Sequence, residues 1–175
     1  LDGSADLMDI IIDGPAGVKF ISGGSGVKEM ANLDADGRQK ILDVITDLRP
    51  FCDVILLDTG AGISRTVTDF VSVSDHTLVV TTADFAAVAD AYGIVKTCVQ
   101  EGHADSMNVL VNRVRSPHEA EQVFNKLRDC SKRFLGLELN WVGLLPEDSV
   151  VEAAVVKRLP FREAFPDSVV SRYLK

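Results

Sequence analysis

The chain has 175 residues, of which 46% are hydrophobic and 25% charged, and its formal net charge at pH 7 is −8. This length and apolar content are sufficient for one sizeable buried core, which excludes an intrinsically disordered chain. The negative charge argues against a protein that coats nucleic acid, because phosphate binding requires clustered Lys and Arg, and no specific nucleic-acid partner is expected.

The first third of the chain predicts a hairpin, a helix and a buried strand. Residues 9–12 and 18–21 are two short runs of mainly apolar residues that flank a turn-rich bridge, which indicates a hairpin or a tight strand connection. Apolar side chains recur at helical spacing over residues 41–48, and Pro50 ends that helix. Residues 54–57 are apolar throughout, as expected of a parallel strand that is buried on both faces.

From Ser64 onward, helical and strand patterns alternate at a steady pace. A helical stripe follows Ser64, Gly102 caps a second helix, and residues 116–119 combine three start signals of a third. The predicted strands are the apolar runs 77–80, 107–111 and 141–145. Two short helical stretches follow, at 151–156 and 169–174. This alternation predicts an α/β fold with a mostly parallel sheet and helices on both faces, and residues 1–175 as a single domain.

Several other kinds of site are excluded by residue spacing. The three cysteines are far apart and odd in number, which excludes a CxxC metal site and a full disulfide framework. The three histidines lack partners at metal-ligand spacing. No apolar run approaches the roughly 20 residues that span a bilayer. A soluble, intracellular protein with free thiols is therefore expected.

The strongest candidate site follows the predicted strand at residues 54–57. In open parallel sheets, ligands bind beyond the carboxyl ends of the strands. Asp58 stands at that end, and Gly60 and Gly62 allow the backbone to approach a ligand. This pattern suits a sensor of Mg²⁺ and a γ-phosphate. The alternative is an Asp that caps a turn, with glycines that serve only the turn.

Two further strand ends carry candidate binding residues. Asn112 and Arg113 follow the predicted strand at 107–111, and a side-chain amide both donates to and accepts from the edge of adenine. Asn is also common in turns, so the residues alone leave both roles open. Pro146, Glu147 and Asp148 follow the last strand. They suit a helix start with acidic residues at the positive end of its dipole.

These segments resemble the MinD/ParA-type P-loop ATPases, and among them the flagellar-number regulators of the FlhG (FleN) kind. The string DTGAGIS at residues 58–64 is similar to their Walker B and switch II segment. The segments at 112–113 and 146–148 resemble their adenine-binding segments, and further matches extend from residue 14 to residue 168. At 146–148 this ligand role and a helix start can hold together. The resemblance implies that the chain is the carboxyl-terminal two-thirds of a MinD-like P-loop NTPase domain whose N-terminal part is missing.

The resemblance also implies roles for individual residues. Asp58 becomes the catalytic residue and holds Mg²⁺ through water. The implied nucleotide-binding residues are Gly60, Gly62, Asn112, Arg113, Pro146, Glu147 and Asp148. ATP and Mg²⁺ are the implied cofactors, and the intact protein is expected to hydrolyse ATP.

The resemblance implies partners as well. They are a second copy in an ATP-dependent homodimer, an FlhF-type GTPase, flagellar components, and a membrane contacted peripherally through a segment not present here. The implied role is regulation of flagellar number and placement. The implied location is the cytoplasm, with peripheral membrane association in the ATP-bound state.

One departure from the family pattern leaves alternatives open. A P-loop needs glycines that end in Gly-Lys-Ser/Thr, and this chain has no such string. The family's lysine-bearing loop lies upstream of the position of Leu1, so this chain alone is not expected to be active. We expect the purified protein to contain residues upstream of Leu1. The alternatives are a non-enzymatic scaffold with the same fold and a ParA-type partitioning ATPase, which the acidic charge disfavours.

Overall fold

The computed structural model describes residues 10–22, 35–104 and 106–174. The chain divides into two compact units, Leu1–Val73 and Ser74–Lys175, which are called the first and the second unit below. Position 9, where the predicted hairpin starts, lies outside the described residues. The prediction of a single domain over residues 1–175 stays a prediction.

The hairpin in the first unit is confirmed. Strand β1 (Ile11–Asp13) pairs with strand β2 (Lys19–Ile21) in antiparallel register. The strands are joined through a short 3-10 turn, and Lys19 forms an ion pair with Asp13 across the hairpin. A Cβ atom on Gly14 would overlap the ring of Phe20, so a glycine is required where the ring crosses the turn.

Two helices complete the described part of the first unit. Helix α1 (Ala35–Leu48) ends at the predicted position, where a 3-10 turn containing Pro50 follows it. Helix α2 (Arg65–Ser72) follows Ser64, also as predicted. Ile45 and Val67 are the buried apolar side chains among the described residues of this unit. Its described core is therefore small.

The predicted strand at residues 54–57 is wrong. The structure forms no strand there, and Val54 and Leu56 are 81% and 86% exposed. A parallel strand is stable only when its backbone hydrogen bonds are made by a neighbour. In the first unit, the strands that the structure describes are β1 and β2, which pair with each other. Residues 54–57 therefore lack a partner among the described residues of their unit.

The second unit confirms the α/β class. Its strands β3 (Thr77–Thr81), β4 (Met107–Val114) and β5 (Asn140–Pro146) form a parallel sheet in the order β3-β4-β5. Its helices are α3 (Phe85–Glu101), α4 (Pro117–Leu135), α5 (Val150–Lys157), α6 (Phe161–Ala164) and α7 (Val169–Tyr173). The sequence did not predict α6. Along the described ranges, no helix is both long and apolar enough to cross a bilayer.

The core of the second unit follows the alternation of side chains along β4. Met107, Val109 and Val111 are almost fully buried, and helices α3 and α4 pack on each other and on the sheet. The ring of Phe124 on α4 lies 5.0 Å from that of Trp141 on β5. Side chains on the opposite face of β3, at Leu78 and Val80, are half exposed.

Helix α4 starts as the sequence predicts. The Ser116 hydroxyl accepts a hydrogen bond from the Glu119 amide at 3.2 Å, and the Glu119 carboxylate accepts one from the Arg115 amide at 2.7 Å. These reciprocal bonds satisfy N–H groups that no helix carbonyl can reach. The predicted cap at Gly102 is confirmed at the end of α3. The helix ends that position the sheet are therefore encoded locally.

Candidate functional site

Asp58 lies in an open loop of the first unit. Its side chain is exposed, and its carboxylate makes no hydrogen bond or ion pair within the described part of the chain. The described ranges also contain no group of three or more His, Cys, Asp or Glu side chains that would hold a metal directly. A single free carboxylate fits a contact to Mg²⁺ through water, because Mg²⁺ keeps several of its waters in proteins.

The two glycines after Asp58 have different backbone roles. Gly62 has a φ of +111°, a region that residues with a side chain rarely adopt, and a Cβ atom on Gly60 or Gly62 would meet no atom within 4 Å. Gly62 is therefore required by the backbone, whereas packing within the described residues does not explain Gly60. Ser64, two residues later, is the N-cap of α2, and its carbonyl accepts the Val67 amide at 3.0 Å.

In the second unit, Asn112 and Arg113 form a bulge at the carboxyl end of β4. Val111 pairs with Leu144 and the next pair joins Val114 to Pro146, so β4 contains one residue more than β5 over this stretch. The sequence pattern predicted that this strand ends at Val111, but in the structure the strand continues beyond the bulge to Val114. Bulges of this kind redirect side chains at the edges of sheets.

The backbone of Arg113 is left-handed, with a φ of +56°. This conformation costs a residue with a side chain roughly 1–2 kcal/mol. In this geometry, the Arg113 amide donates a hydrogen bond of 2.9 Å to Oδ1 of Asn112. The Nδ2 amide group of Asn112 makes no hydrogen bond within the described ranges. Asn112 therefore retains two donors and one acceptor lone pair for a ligand.

Glu147 joins the end of β5 to this bulge. Its carboxylate lies 3.3 Å from the Arg113 guanidinium, and its amide donates a hydrogen bond of 2.9 Å to the Val114 carbonyl. Both side chains of the ion pair are more than half exposed. The structure thus brings together four predicted site residues at one edge of the sheet: Asn112, Arg113, Pro146 and Glu147.

Asp148 has a structural role that the helix-start interpretation predicted. One carboxylate oxygen accepts the Val150 amide of α5 at 3.1 Å, and the other accepts the Val170 amide of α7 at 3.3 Å. The first N–H groups of a helix have no partner within the helix, so a carboxylate there satisfies them and interacts favourably with the helix dipole. Asp148 therefore connects the first turns of two helices.

Replacing Asp148 by Ala should lower the free energy of unfolding of the second unit by about 1–2 kcal/mol, the scale of a lost helix cap. Urea denaturation followed by the fluorescence of Trp141, the single tryptophan of the chain, measures this change. Asp167→Ala, at an exposed position with no ion pair in the described structure, is the matched control. Equal stability of the two variants would contradict the capping role.

Sequence reasoning missed a polar pair at the end of β3. Thr82 Oγ1 donates to the Asp84 carboxylate at 3.1 Å and accepts from the Asp84 amide at 3.3 Å. Asp84 is the N-cap residue of α3. The pair lies at the same edge as the carboxyl ends of β4 and β5, because the three strands are parallel. A Thr-x-Asp sequence between an apolar run and a helical stripe is the signal that would have indicated this turn.

The thiols differ in their surroundings. Cys52 and Cys130 are exposed and Cys98 is buried, and all three are free, as predicted. Burial raises the pKa of the Cys98 thiol, and the negative charge of Glu101 adds to the effect. Because the thiolate is the metal ligand and the nucleophile, this shift keeps Cys98 protonated and unreactive.

Curated proteins similar to this chain include an antiactivator and a flagellum site-determining protein. The chain is 32% identical to the antiactivator FleN of Pseudomonas aeruginosa over 175 residues, which cover all of the chain and 62% of that protein. It is 30% identical to the flagellum site-determining protein YlxH of Helicobacter pylori, with 98% of the chain and 58% of that protein covered. The chain thus spans less than two-thirds of the length of these relatives. No protein-family profile matches it.

Solved structures with a similar fold include two ATPases. The cell division ATPase MinD of Pyrococcus furiosus has a TM-score of 0.71 at 18% identity, with 98% of this chain and 68% of that chain covered. A ParA family ATPase from Chlorobium tepidum has a TM-score of 0.74 at 19% identity, with 99% and 68% covered. At these identities the likeness shows the fold alone.

Proposed function

We propose that the intact protein is a nucleotide-switched ATPase of the MinD/ParA type that regulates flagellar number and placement. The chain is similar along its whole length to FleN, it is similar to the flagellum site-determining protein YlxH, and its fold is like that of MinD and ParA family ATPases. The observation that carries this proposal is the bulge at the end of β4, where the Asn112 amide is oriented by the Arg113 backbone and its Nδ2 group remains free. An amide held in this way at the carboxyl end of a parallel strand suits the recognition of adenine.

The base would lie against the ends of β4 and β5. Asn offers a donor and an acceptor side by side, which match N7 or N1 and the exocyclic amino group of adenine. Pro146 ends β5 next to this position and offers an apolar surface for the base. In the proposed site, Glu147 and Arg113 border the base, and Asp148 fixes the helices that follow.

The loop that begins at Asp58 is the segment that we propose to contact the phosphates and their Mg²⁺ ion. The Asp58 carboxylate is exposed and has no partner among the residues that the structure describes, and Gly60 and Gly62 leave the backbone accessible. When bound, Mg²⁺ would neutralise the charge that develops on the phosphate oxygens. In this proposal Asp58 holds water on that ion and responds to the γ-phosphate, while the glycines place backbone N–H groups near the phosphates.

We propose an ATP-dependent homodimer in the cytoplasm, which associates peripherally with the membrane when ATP is bound. Partners would be an FlhF-type GTPase and flagellar components. The names of the FleN and YlxH relatives support the flagellar role, and the net charge of −8 disfavours the alternative of a DNA-partitioning ATPase.

Replacing Asn112 by Ala in the intact protein tests the base-reading role. The loss of a bidentate amide contact should weaken ATP binding by roughly 1–3 kcal/mol and reduce the preference for ATP over GTP. Isothermal titration calorimetry with both nucleotides measures the two effects. Asn125→Ala, at an exposed position of α4, is the matched control and should bind both nucleotides as the unchanged protein does.

Two outcomes would contradict the proposal. An unchanged ATP affinity and ATP/GTP ratio in Asn112→Ala would remove the base-reading role. An intact protein that binds no nucleotide, yet retains its effect on flagellar number, would favour a non-enzymatic scaffold with the same fold.

A further inference from the structure

The ion pair between Arg113 and Glu147 connects the two strand ends that form the proposed base site. The guanidinium and the carboxylate are 3.3 Å apart, with 67% and 52% of their side-chain surface exposed. An ion pair with this exposure contributes little to folding stability, because water screens it and two long side chains are ordered to form it. The relevant observation is therefore the location of this ion pair at the ends of β4 and β5, rather than its contribution to stability.

The residue type at position 113 is the second observation. Its φ of +56° lies in the region that Gly and Asn adopt with the least strain. An Arg at such a position is unfavourable for the backbone. Within the described residues, the Arg113 side chain forms the ion pair with Glu147, a contact that Gly or Asn at this position could not make.

The left-handed turn also controls the side chain of Asn112. It directs the Arg113 amide at Oδ1 of Asn112, at 2.9 Å. A side-chain amide with its oxygen bound cannot exchange its donor and acceptor positions by rotating, whereas a free amide can. On the N1 edge, adenine presents an acceptor beside the donor of its amino group, whereas guanine presents a donor beside the acceptor O6, so an amide that rotates to exchange its two ends would suit guanine as well as adenine. A fixed amide therefore discriminates between the bases better than a rotating one.

We propose that Arg113 and Glu147 are positioning residues that fix the Asn112 amide and so determine the preference for adenine over guanine nucleotides. Glu147 acts through Arg113 and does not itself contact the base. The inference rests on the proposed nucleotide site and adds to it the source of its base selectivity.

The test compares three variants of the intact protein by calorimetric titration with ATP and with GTP, and uses Glu121→Gln and Asn112→Ala as references. Glu147→Gln keeps the shape of the side chain and removes its charge. Arg113→Gly removes the guanidinium, and glycine permits the left-handed backbone without strain but no longer fixes it. We expect each to lower the ATP/GTP affinity ratio by about two- to fivefold, the range that an exposed ion pair supports. The double variant should lower the ratio no further, because the two residues act as one unit.

Glu121→Gln, at an exposed position on α4, is the control for the loss of one carboxylate and should keep the wild-type ratio. Thermal unfolding of each variant is measured in parallel. A purely structural role for Arg113 predicts that Arg113→Gly retains or increases stability and leaves the ratio unchanged, since glycine relieves the backbone strain. A reduced ratio in a stable Arg113→Gly protein therefore supports the proposal.

The remaining outcomes separate this inference from the function on which it rests. Wild-type ratios in Glu147→Gln and Arg113→Gly, together with a reduced ratio in Asn112→Ala, overturn the positioning role alone. Losses that add in the double variant also overturn it, because they indicate two independent contacts. An unchanged ratio in Asn112→Ala overturns the base-reading site and the positioning role together.

Discussion

Asp58→Ala in the intact protein should lower the maximal rate of ATP hydrolysis at least about 100-fold, the scale on which enzymes lose turnover when one preorganised electrostatic group is removed. The dissociation constant of ATP should change far less, because a carboxylate that reaches Mg²⁺ through water contributes more as charge develops on the phosphates than in the ground state. Steady-state turnover and calorimetric titration measure the two quantities separately. The substitution should leave the fold intact, because the Asp58 carboxylate is exposed and has no partner within the described ranges.

Asp53→Ala provides the matched control for this variant. Asp53 is also exposed, it precedes the apolar residues 54–57 as Asp58 follows them, and it has no ion pair in the described structure. We expect its turnover to equal that of the unchanged protein. Normal turnover in Asp58→Ala would show that this carboxylate has no part in hydrolysis, and a parallel loss in Asp53→Ala would show that the segment, not the carboxylate, is responsible.

Leu127→Ala should lower the free energy of unfolding of the second unit by about 2–5 kcal/mol. Leu127 is 1% exposed on the inner face of α4, and truncating it removes apolar contacts and leaves a cavity that the surrounding side chains fill only in part. Because domains have a total stability of about 5–15 kcal/mol, this is a large fraction of it. Urea denaturation followed by Trp141 fluorescence reports on this core, since the Trp141 ring packs against Phe124 of the same helix.

Phe134→Ala separates burial from side-chain size. Phe134 is on the same helix and is larger than leucine, but it is 66% exposed. Its truncation should change the free energy of unfolding by only about 0.5 kcal/mol, as for other surface substitutions. A loss in Phe134→Ala as large as that in Leu127→Ala would contradict the packing of α4 described above.

The sequence by itself determined the elements whose stabilising contacts are local. Helix α4 begins at Pro117 and is capped by Ser116 and Glu119, because a cap needs only residues a few positions apart. Equally short-range patterns determine the turn at residues 14–17, the end of α1 at Leu48 and the strand–helix alternation that predicts a parallel sheet. Asp148 is an intermediate case: its bond to Val150 is local and predictable, but its bond to Val170 joins residues far apart in the chain.

Only the tertiary structure decided the features that depend on a neighbour distant in sequence. Residues 54–57 have the composition of a buried strand, yet Val54 and Leu56 are exposed, because a strand is formed only when another strand accepts and donates its hydrogen bonds. Pairing with β5 extends β4 to Val114 and produces the bulge at Asn112 and the left-handed backbone of Arg113. Glu147 contacts Arg113 only when the two strands are aligned. Hydrophobic periodicity indicates which side chains face a core, but it does not indicate which strand or helix they pack against. The sequence therefore located the candidate site residues, whereas the orientation of the Asn112 amide was decided by contacts between strands.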